Sequence, residues 1–198
     1  MKTKSKALLM TLCAVLLVAA SVLGTMAYLT STPGAVTNTF SIGKIDITLD
    51  EAKVDVDGKK IEPEVRVTEN PYKLMPGHEY DKDPTVHVTT LNSENAYIFV
   101  KVVNDIAAIE AGTKIADQIA ANGWRALDGV ANVYYQEYNK ADGAKDFVVF
   151  RNFTIADTVD ADTLALYDTK TITITAYAIQ RDDNFTTAKD AWTAGQFN

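Results

Sequence analysis

The chain has 198 residues, a net charge of −7 at neutral pH and a single cysteine, Cys13. This length fits one domain with one hydrophobic core. The negative charge argues against binding to nucleic acids or anionic membrane surfaces, because both repel acidic proteins. One cysteine excludes an intramolecular disulfide and a metal site built from several thiolates.

The N-terminus has the layout of a secretory signal. Three lysines occur within the first six residues, and an apolar run follows over residues 7–23. Thr25 and Ala27 then place small residues at the −3 and −1 positions of a cleavage site that precedes Tyr28. We therefore predict a signal peptide over residues 1–27 and export of the remaining chain.

An uncleaved membrane anchor is the alternative interpretation of the same apolar run. The run is close to the ~20 residues that a membrane-spanning helix needs. In that case the chain would meet a membrane only through the uncleaved signal. Cys13 lies inside the run, whereas a lipid-modified cysteine would lie at its end, so we do not predict a lipoprotein. Cleavage after Ala27 would leave a cysteine-free chain with a net charge of −10.

Short alternating runs of β-branched and aromatic residues dominate the remaining chain, and such runs are typical of strands. Strands are predicted over residues 40–49 (with a β-bulge at Gly43), 85–89, 97–103, 147–153 and 171–179. Residues 97–103 are almost all apolar, which favours a central strand that is buried on both faces. The last strand alternates, with Ile172, Ile174, Ala176 and Ala178 on one face.

Turns and short helices separate the predicted strands. The predicted turns are Asp57-Gly58, Pro76-Gly77 and Asp128-Gly129. The four-residue spacing of Ile115 and Ile119 predicts a helix over 106–122 that ends before Gly123. A second helix is predicted over 187–194, whereas the pattern over 157–167 is ambiguous. The elements together predict a mainly β protein, an antiparallel β-sandwich with one or two short helices.

The two histidines are weak candidates for a zinc site. His78-Glu79 begins like the helical zinc motif His-Glu-x-x-His, but the second histidine is missing. His87 lies on the strand face opposite Val86 and Val88. Both histidines are therefore interpreted as surface residues.

Acidic residues suggest calcium only weakly. Asp55, Asp57, Gly58 and Glu64 match four positions of the EF-hand spacing, but Lys53 occupies the first position and cannot coordinate a cation. We interpret this segment as an acidic hairpin tip and predict no cofactor. Weak calcium binding stays open at two further acidic groups, which are Asp81 with Asp83, and Asp157 with Asp160 and Asp162.

Catalytic motifs for nucleophilic chemistry are missing from the sequence. It contains no Gly-x-Ser-x-Gly motif, and no cysteine nucleophile follows the signal. Paired carboxylates for glycoside chemistry stay open in so acidic a chain. Tyr134, Tyr135 and Tyr138, beside Trp124, would form either a sugar-binding platform or cross-strand packing, and packing is favoured. We predict that the protein is not an enzyme.

Five segments together resemble the TasA/camelysin family of Gram-positive bacteria. They are GTMAYLT (24–30), NTFSIGKIDI (38–47), KLMPGHEYDKDP (73–84), YIFVKV (97–102) and ITITAYAIQ (172–180). Members of this family are exported through the signal peptidase SipW. The resemblance implies that a peptidase of this type cleaves between Ala27 and Tyr28. It also implies a jelly-roll β-sandwich at residues 40–198 that is secreted to the cell surface or the biofilm matrix.

The resemblance further implies a mode of assembly. In TasA itself, the N-terminal segment of one subunit completes the sheet of the next subunit by strand addition. Residues 28–39 would be this donor segment, and its apolar residues are Tyr28, Leu29, Ala35 and Val36. The partner would be a second copy or another matrix subunit. Pro33-Gly34 departs from a regular strand because proline removes a ladder donor, so a hinge or a disordered tail is the alternative.

The sequence thus predicts a secreted structural protein that forms fibres or is displayed in a matrix. The family also includes camelysin, which is described as a cell-surface metalloprotease. A secreted camelysin-like metalloendopeptidase is therefore one alternative, although this chain has no recognisable catalytic zinc motif. A monomeric surface adhesin or binding module is the other alternative.

Overall fold

A computed structural model describes residues 45–89, 94–181, 185 and 187–197. Within these residues, eleven strands form three antiparallel sheets, accompanied by three short α-helices and two 3-10 turns. The predicted mainly β, antiparallel sandwich is confirmed. The predicted signal peptide, the donor segment and the bulge at Gly43 lie outside the described residues.

The first sheet has four strands. They are β1 (Ile47–Ala52), β2 (Arg66–Val67), β4 (Thr85–Val88) and β9 (Lys145–Val148), in the spatial order β2-β1-β4-β9. A three-stranded sheet contains β3 (Glu79–Asp81), β6 (Glu110–Ala111) and β10 (Asn152–Ile155), in the order β3-β10-β6.

The third sheet contains the two longest strands. Its members are β5 (Ala96–Asn104), β7 (Arg125–Ala126), β8 (Val133–Tyr138) and β11 (Ile172–Gln180), in the order β11-β5-β8-β7. The helices are α1 (Ile115–Ala121), α2 (Ala161–Ala165) and α3 (Ala188–Gly195).

Strand β5 is buried on both faces, as its sequence predicts. Ile98 and Val100 are fully buried in the main core, together with Val86 of β4. Phe99 points to the opposite face, where its ring lies 5.2 Å from that of Trp192 in α3. β5 therefore separates a main core between sheets from a second core beneath α3.

Helix α3 confirms the predicted C-terminal helix, with its bounds shifted by one residue. Thr187 caps it, because its hydroxyl accepts a hydrogen bond from the backbone N–H of Asp190. The Asp190 carboxylate accepts in return from the backbone N–H of Thr187, which completes a capping box. Trp192 is buried on the apolar side of the helix, as expected.

The predicted turns are present, although the first hairpin is small. Its arms pair only through a bridge between Val54 and Lys60, and Gly58 N donates to the carbonyl of Asp55. At Pro76-Gly77, His78 N donates to the Met75 carbonyl across the corner. Gly77 has a φ of 72°, a left-handed conformation that favours glycine.

The prediction of one helix over 106–122 was wrong in its first half. Only Ile115–Ala121 is α-helical; Ala107–Ile109 forms a 3-10 turn and Glu110–Ala111 forms β6. β6 pairs with β10, which places Ala111 opposite Thr154. The helical spacing belongs to Ile115 and Ile119 alone, and a distant strand determines the conformation of the residues before them.

The single strand predicted over 147–153 is two strands in different sheets. β9 ends at Val148 and β10 begins at Asn152. The connecting residues Val149 and Phe150 are both fully buried. The chain crosses between sheets through the core at this point.

Two smaller differences concern β1 and the ambiguous segment. β1 continues past the predicted end at residue 49 to Ala52, because β2 pairs with Glu51 and Ala52. The ambiguous segment contains α2, whose N-terminus is capped by the side chain of Asp160.

Candidate functional site

Strand β11 forms the outer edge of the third sheet. It pairs with β5 along its whole length, and among the described residues no strand is paired with its other side. Its sequence ITITAYAIQ contains no charged residue and no proline. Edge strands are usually protected by such residues, so within the part of the chain that the structure describes β11 is an edge strand that lacks them.

A groove of about 1120 Å³ lies beside the first half of this edge. It is lined by parts of β1, the segment 68–74, α2 and β11. Its apolar lining includes Leu49, Leu164, Tyr167, Ile172 and Ile174. These side chains are only partly buried against the main core. The start of β11 therefore combines an open backbone edge with incompletely covered apolar side chains.

A buried polar cluster lies at the end of β1. The Glu51 carboxylate accepts from Lys82 Nζ at 2.5 Å and from Asn70 Nδ2 at 2.9 Å. Glu51 and Lys82 are 4% and 8% exposed, which is rare for charged residues unless they are paired. The Tyr72 ring covers the ammonium group, with Nζ 5.5 Å from the ring centroid. Burial, and next the negative charge of Glu51, raise the pKa of Tyr72, so its hydroxyl stays neutral.

Asp83 connects a second set of charges to β1. Its carboxylate accepts from the backbone N–H of Ala52 at 2.7 Å and from Lys60 and Arg66. Burial alone would raise the pKa of Asp83, but the hydrogen bonds from Lys60 and Ala52 outweigh burial and hold the pKa below its usual value. These contacts fix the first hairpin and β2 against the end of β1.

His87 bridges two carboxylates on the outer face of the first sheet. Its Nε2 lies 2.9 Å from Asp50 Oδ1, and its Nδ1 lies 2.6 Å from Asp146 Oδ1. Carboxylate oxygens only accept hydrogen bonds, so both ring nitrogens carry protons in this geometry. Burial alone would lower the pKa of His87, but the hydrogen bonds to Asp146 and Asp50 outweigh burial and raise it.

The residues considered for zinc are held in separate local contacts. His78 Nε2 lies 2.7 Å from the carbonyl oxygen of Asp57, whereas His87 contacts Asp50 and Asp146. Among the described residues, no group of three or more His, Cys, Asp or Glu side chains is placed to hold a metal ion.

The residues considered for calcium mostly stabilise turns and ion pairs. The Asp55 carboxylate accepts from the backbone N–H groups of Asp57 and Lys59 and so closes the hairpin tip. Glu64 pairs with Arg66. In the other groups, Asp81 accepts from the backbone of Lys60, and Asp160 caps α2.

The three tyrosines of β8 do not share one face. Tyr138 is 1% exposed in the main core, and its hydroxyl donates to the Gly143 carbonyl. Tyr134 packs against the same core, whereas Tyr135 packs on the opposite face against Tyr97 and Arg125. Cross-strand packing, rather than a sugar platform, therefore describes them.

The predicted cleavage residues Thr25, Ala27 and Tyr28 lie outside the described part of the chain. The same holds for the donor residues Leu29, Ala35 and Val36, and again for Tyr28. Among the described residues, no helix is long and apolar enough to cross a membrane.

The comparisons with known proteins provide no relative for this chain. No family model matches it, and neither a curated protein nor a solved structure matches it. The resemblance to the TasA/camelysin family therefore stays a prediction.

Sequence reasoning missed the cluster of Glu51, Asn70 and Lys82. These residues come from three segments, and the hydrogen bond from Lys82 to Glu51 spans 31 positions. A local signal does exist, because Glu51 lies two residues after the end of a predicted strand. Only the pairing of β1 with β2 reveals that this position is buried.

Proposed function

We propose that this protein is an exported structural subunit that assembles by strand addition along the outer edge of β11. The observation that carries the proposal is the open, charge-free edge of that strand. A backbone edge without protecting charges pairs readily with an added strand.

Residues 28–39 of a second copy are the proposed donor segment. A strand rises ~3.3 Å per residue, so twelve extended residues are long enough to follow the nine residues of β11. The apolar residues Tyr28, Leu29, Ala35 and Val36 would contact the partly buried side chains that border the groove. Pro33 cannot donate to a ladder, and a bend at that position would divide the donor into two short paired parts.

The location proposed for this subunit is the cell surface or the extracellular matrix. The signal layout of residues 1–27 supports export, and cleavage by a SipW-type peptidase would release Tyr28 as the new N-terminus. The absence of cysteine after the signal means that no disulfide links the subunits. Backbone hydrogen bonds and apolar contacts would supply the cohesion of the assembly.

Negative-stain electron microscopy of residues 28–198, beside a truncation to 40–198, tests the donor segment. We expect filaments from the longer chain and monomers from the truncation, with and without calcium. Monomers from both chains under all conditions would reject self-assembly and favour a surface binding module. Filaments from both would reject residues 28–39 as the donor.

A pair of edge variants tests the acceptor strand. Thr173 and Thr175 have exposed side chains on β11, so Thr173→Lys with Thr175→Lys adds edge charge without disturbing the core. The matched control is Val103→Lys, because Val103 is 37% exposed and lies opposite Thr173 on the central strand β5. We expect the edge variant to stay folded and monomeric while the control forms filaments. Filaments from the edge variant would show that another surface accepts the donor.

A further inference from the structure

Glu51 holds an amine and a carboxamide on the two oxygens of one carboxylate. Lys82 Nζ donates to Oε2 at 2.5 Å, and Asn70 Nδ2 donates to Oε1 at 2.9 Å. Glu51 and Lys82 are both more than nine-tenths buried. One carboxylate therefore holds a nucleophile and a carboxamide with an electrophilic carbon, at the border of the groove beside β11.

The Asn70 carboxamide is fixed in one orientation. Its Nδ2 also donates to the Ala52 carbonyl at 2.8 Å, and its Oδ1 accepts from the backbone N–H of Val54 at 3.0 Å. A backbone N–H at this oxygen would stabilise the negative charge that develops when a nucleophile attacks the carboxamide carbon. The hydrogen bonds thus both orient the amide and polarise it for attack.

Lys82 and Glu51 form a buried ion pair that a single proton transfer can neutralise. The Tyr72 ring lies over the ammonium group and screens it from water. A buried ion pair has a large desolvation cost, and transfer of one proton from Lys82 to Glu51 removes both charges together. The short hydrogen bond between the two groups is the path for that proton.

We propose that Lys82 and Asn70 form an intramolecular amide bond without an external enzyme, with Glu51 as the proton carrier. Glu51 takes a proton from Lys82, and the neutral amine then attacks Cγ of Asn70 to form the Nζ–Cγ bond. The oxygen of the tetrahedral intermediate is held by Val54 N–H. Glu51 returns that proton to Nδ2, and the Cγ–Nδ2 bond breaks. The second proton of Nζ then passes through Glu51 to the departing ammonia, which leaves as ammonium. One ammonium group and one carboxamide become one secondary amide and one ammonium ion, so no oxidant or cofactor is needed.

The bond would join the segment after β2 to the segment after β3. A chain without cysteine beyond its signal cannot form a disulfide there, and the amide would provide a covalent closure of the same kind. This modification is independent of strand addition, and either proposal can fail without the other.

The residue after Asn70 makes the modification easy to recognise. Ordinary loss of ammonia from asparagine proceeds through attack by the next backbone nitrogen. That residue is Pro71, which has no N–H and cannot form the cyclic imide. Loss of ammonia at Asn70 therefore reports the cross-link rather than ageing of the asparagine.

Mass spectrometry of the folded, full chain tests the proposal. We expect the intact protein to be lighter than its sequence by the mass of one ammonia molecule. Trypsin should then release a branched peptide in which residues 67–73 are joined to residues 74–101, because acylated Lys82 resists cleavage. Separate peptides 67–73, 74–82 and 83–101 with unmodified masses would overturn the proposal. A bond from Lys82 to Glu51, with loss of water, would overturn it equally.

Three variants assign the roles. Asn70→Ala and Glu51→Gln should both yield the unlinked peptides, the first because the electrophile is lost and the second because no proton acceptor remains. Lys60→Met is the matched control, since Lys60 also pairs with a carboxylate, that of Asp83. The Lys60→Met protein should still be lighter than its sequence by one ammonia molecule. Far-ultraviolet circular dichroism establishes that each variant is folded, and a folded Glu51→Gln protein that still cross-links fully would exclude Glu51 as the proton carrier.

Discussion

A Cβ atom added to Gly58 would lie 2.3 Å from Cδ1 of Tyr80. The two residues also meet through the backbone next to Tyr80, since Asp81 N donates to the Gly58 carbonyl at 2.7 Å. Tyr80 is fully buried and stacks on Phe153, with 4.9 Å between ring centroids. The tip of the first hairpin is therefore a packed part of the core, despite its single β-bridge.

Gly58→Ala should destabilise the protein more than a glycine substitution at another turn. Gly58 has a φ of 74°, and strain at such a position costs roughly 1–3 kcal/mol. The overlap with Tyr80 adds to that cost. Urea denaturation measures the change in the free energy of unfolding.

The matched control for this substitution is Gly77→Ala. Gly77 has nearly the same φ, 72°, but its nearest neighbour would be Asp157 Cβ at 3.5 Å, an ordinary contact. The backbone strain is thus shared, and the difference between the variants reports the contact with Tyr80. Equal losses of stability would contradict tight packing at the hairpin tip.

His87→Gln should flatten the dependence of stability on pH above neutrality. Because Asp146 and Asp50 raise the pKa of His87, its contribution to stability is complete below the unfolded pKa of about 6.5. That contribution is lost as the pH rises through the higher folded pKa. The free energy of unfolding in urea, measured from about pH 6 to about pH 9, should fall for the wild type and change less for the variant.

Asp50 provides the opposite slope in acid. Burial alone would raise its pKa, but hydrogen bonds from Arg66 and His87 lower it overall, so its contribution is present above the unfolded pKa. It is lost as the pH falls through the folded pKa.

A His87→Gln protein with the full wild-type slope in the alkaline range would show that other groups cause that slope.

Trp192→Ala should strongly destabilise the packing of α3 on the third sheet. The indole contacts the rings of Phe99 and Tyr177, at centroid distances of 5.2 and 5.4 Å. Removing a buried tryptophan costs about 3–5 kcal/mol. Thermal unfolding followed by near-ultraviolet circular dichroism measures this loss. Leu166→Ala is the control, because Leu166 is 72% exposed, and an equal loss there would contradict the assignment.

Elements with a continuous local pattern could be predicted from the sequence. The apolar run of β5 reflects burial on two faces, and the alternation over the first four residues of β11 reflects burial on one face there. The capped helix α3 is encoded by Thr187, Asp190 and Trp192, which lie close together in the chain. In such segments the local preference and the tertiary environment agree.

Elements determined by distant partners could not be predicted. Residues 110–111 form a strand because they pair with β10. Their own sequence contains no signal of that pairing. In the sequence, Val149 and Phe150 look like the middle of one strand. A segment that crosses between two sheets through the core is also apolar, so the sequence does not distinguish the two cases.

The buried polar cluster is harder still to predict. Charged residues such as Glu51 and Lys82 are normally exposed, so their sequence positions favour the surface. Their burial depends on mutual pairing across three segments, and Asn70 completes it from an irregular part of the chain. No periodicity of one segment contains this information.

The double burial of β5 has a consequence for cooperativity. Because this strand supplies side chains to both hydrophobic cores, neither core can melt while the other keeps its full set of contacts. Helix α3 and the sandwich should therefore unfold as one thermodynamic unit. In native-state hydrogen exchange, the amides of β5 should open only with the whole domain and define its global stability.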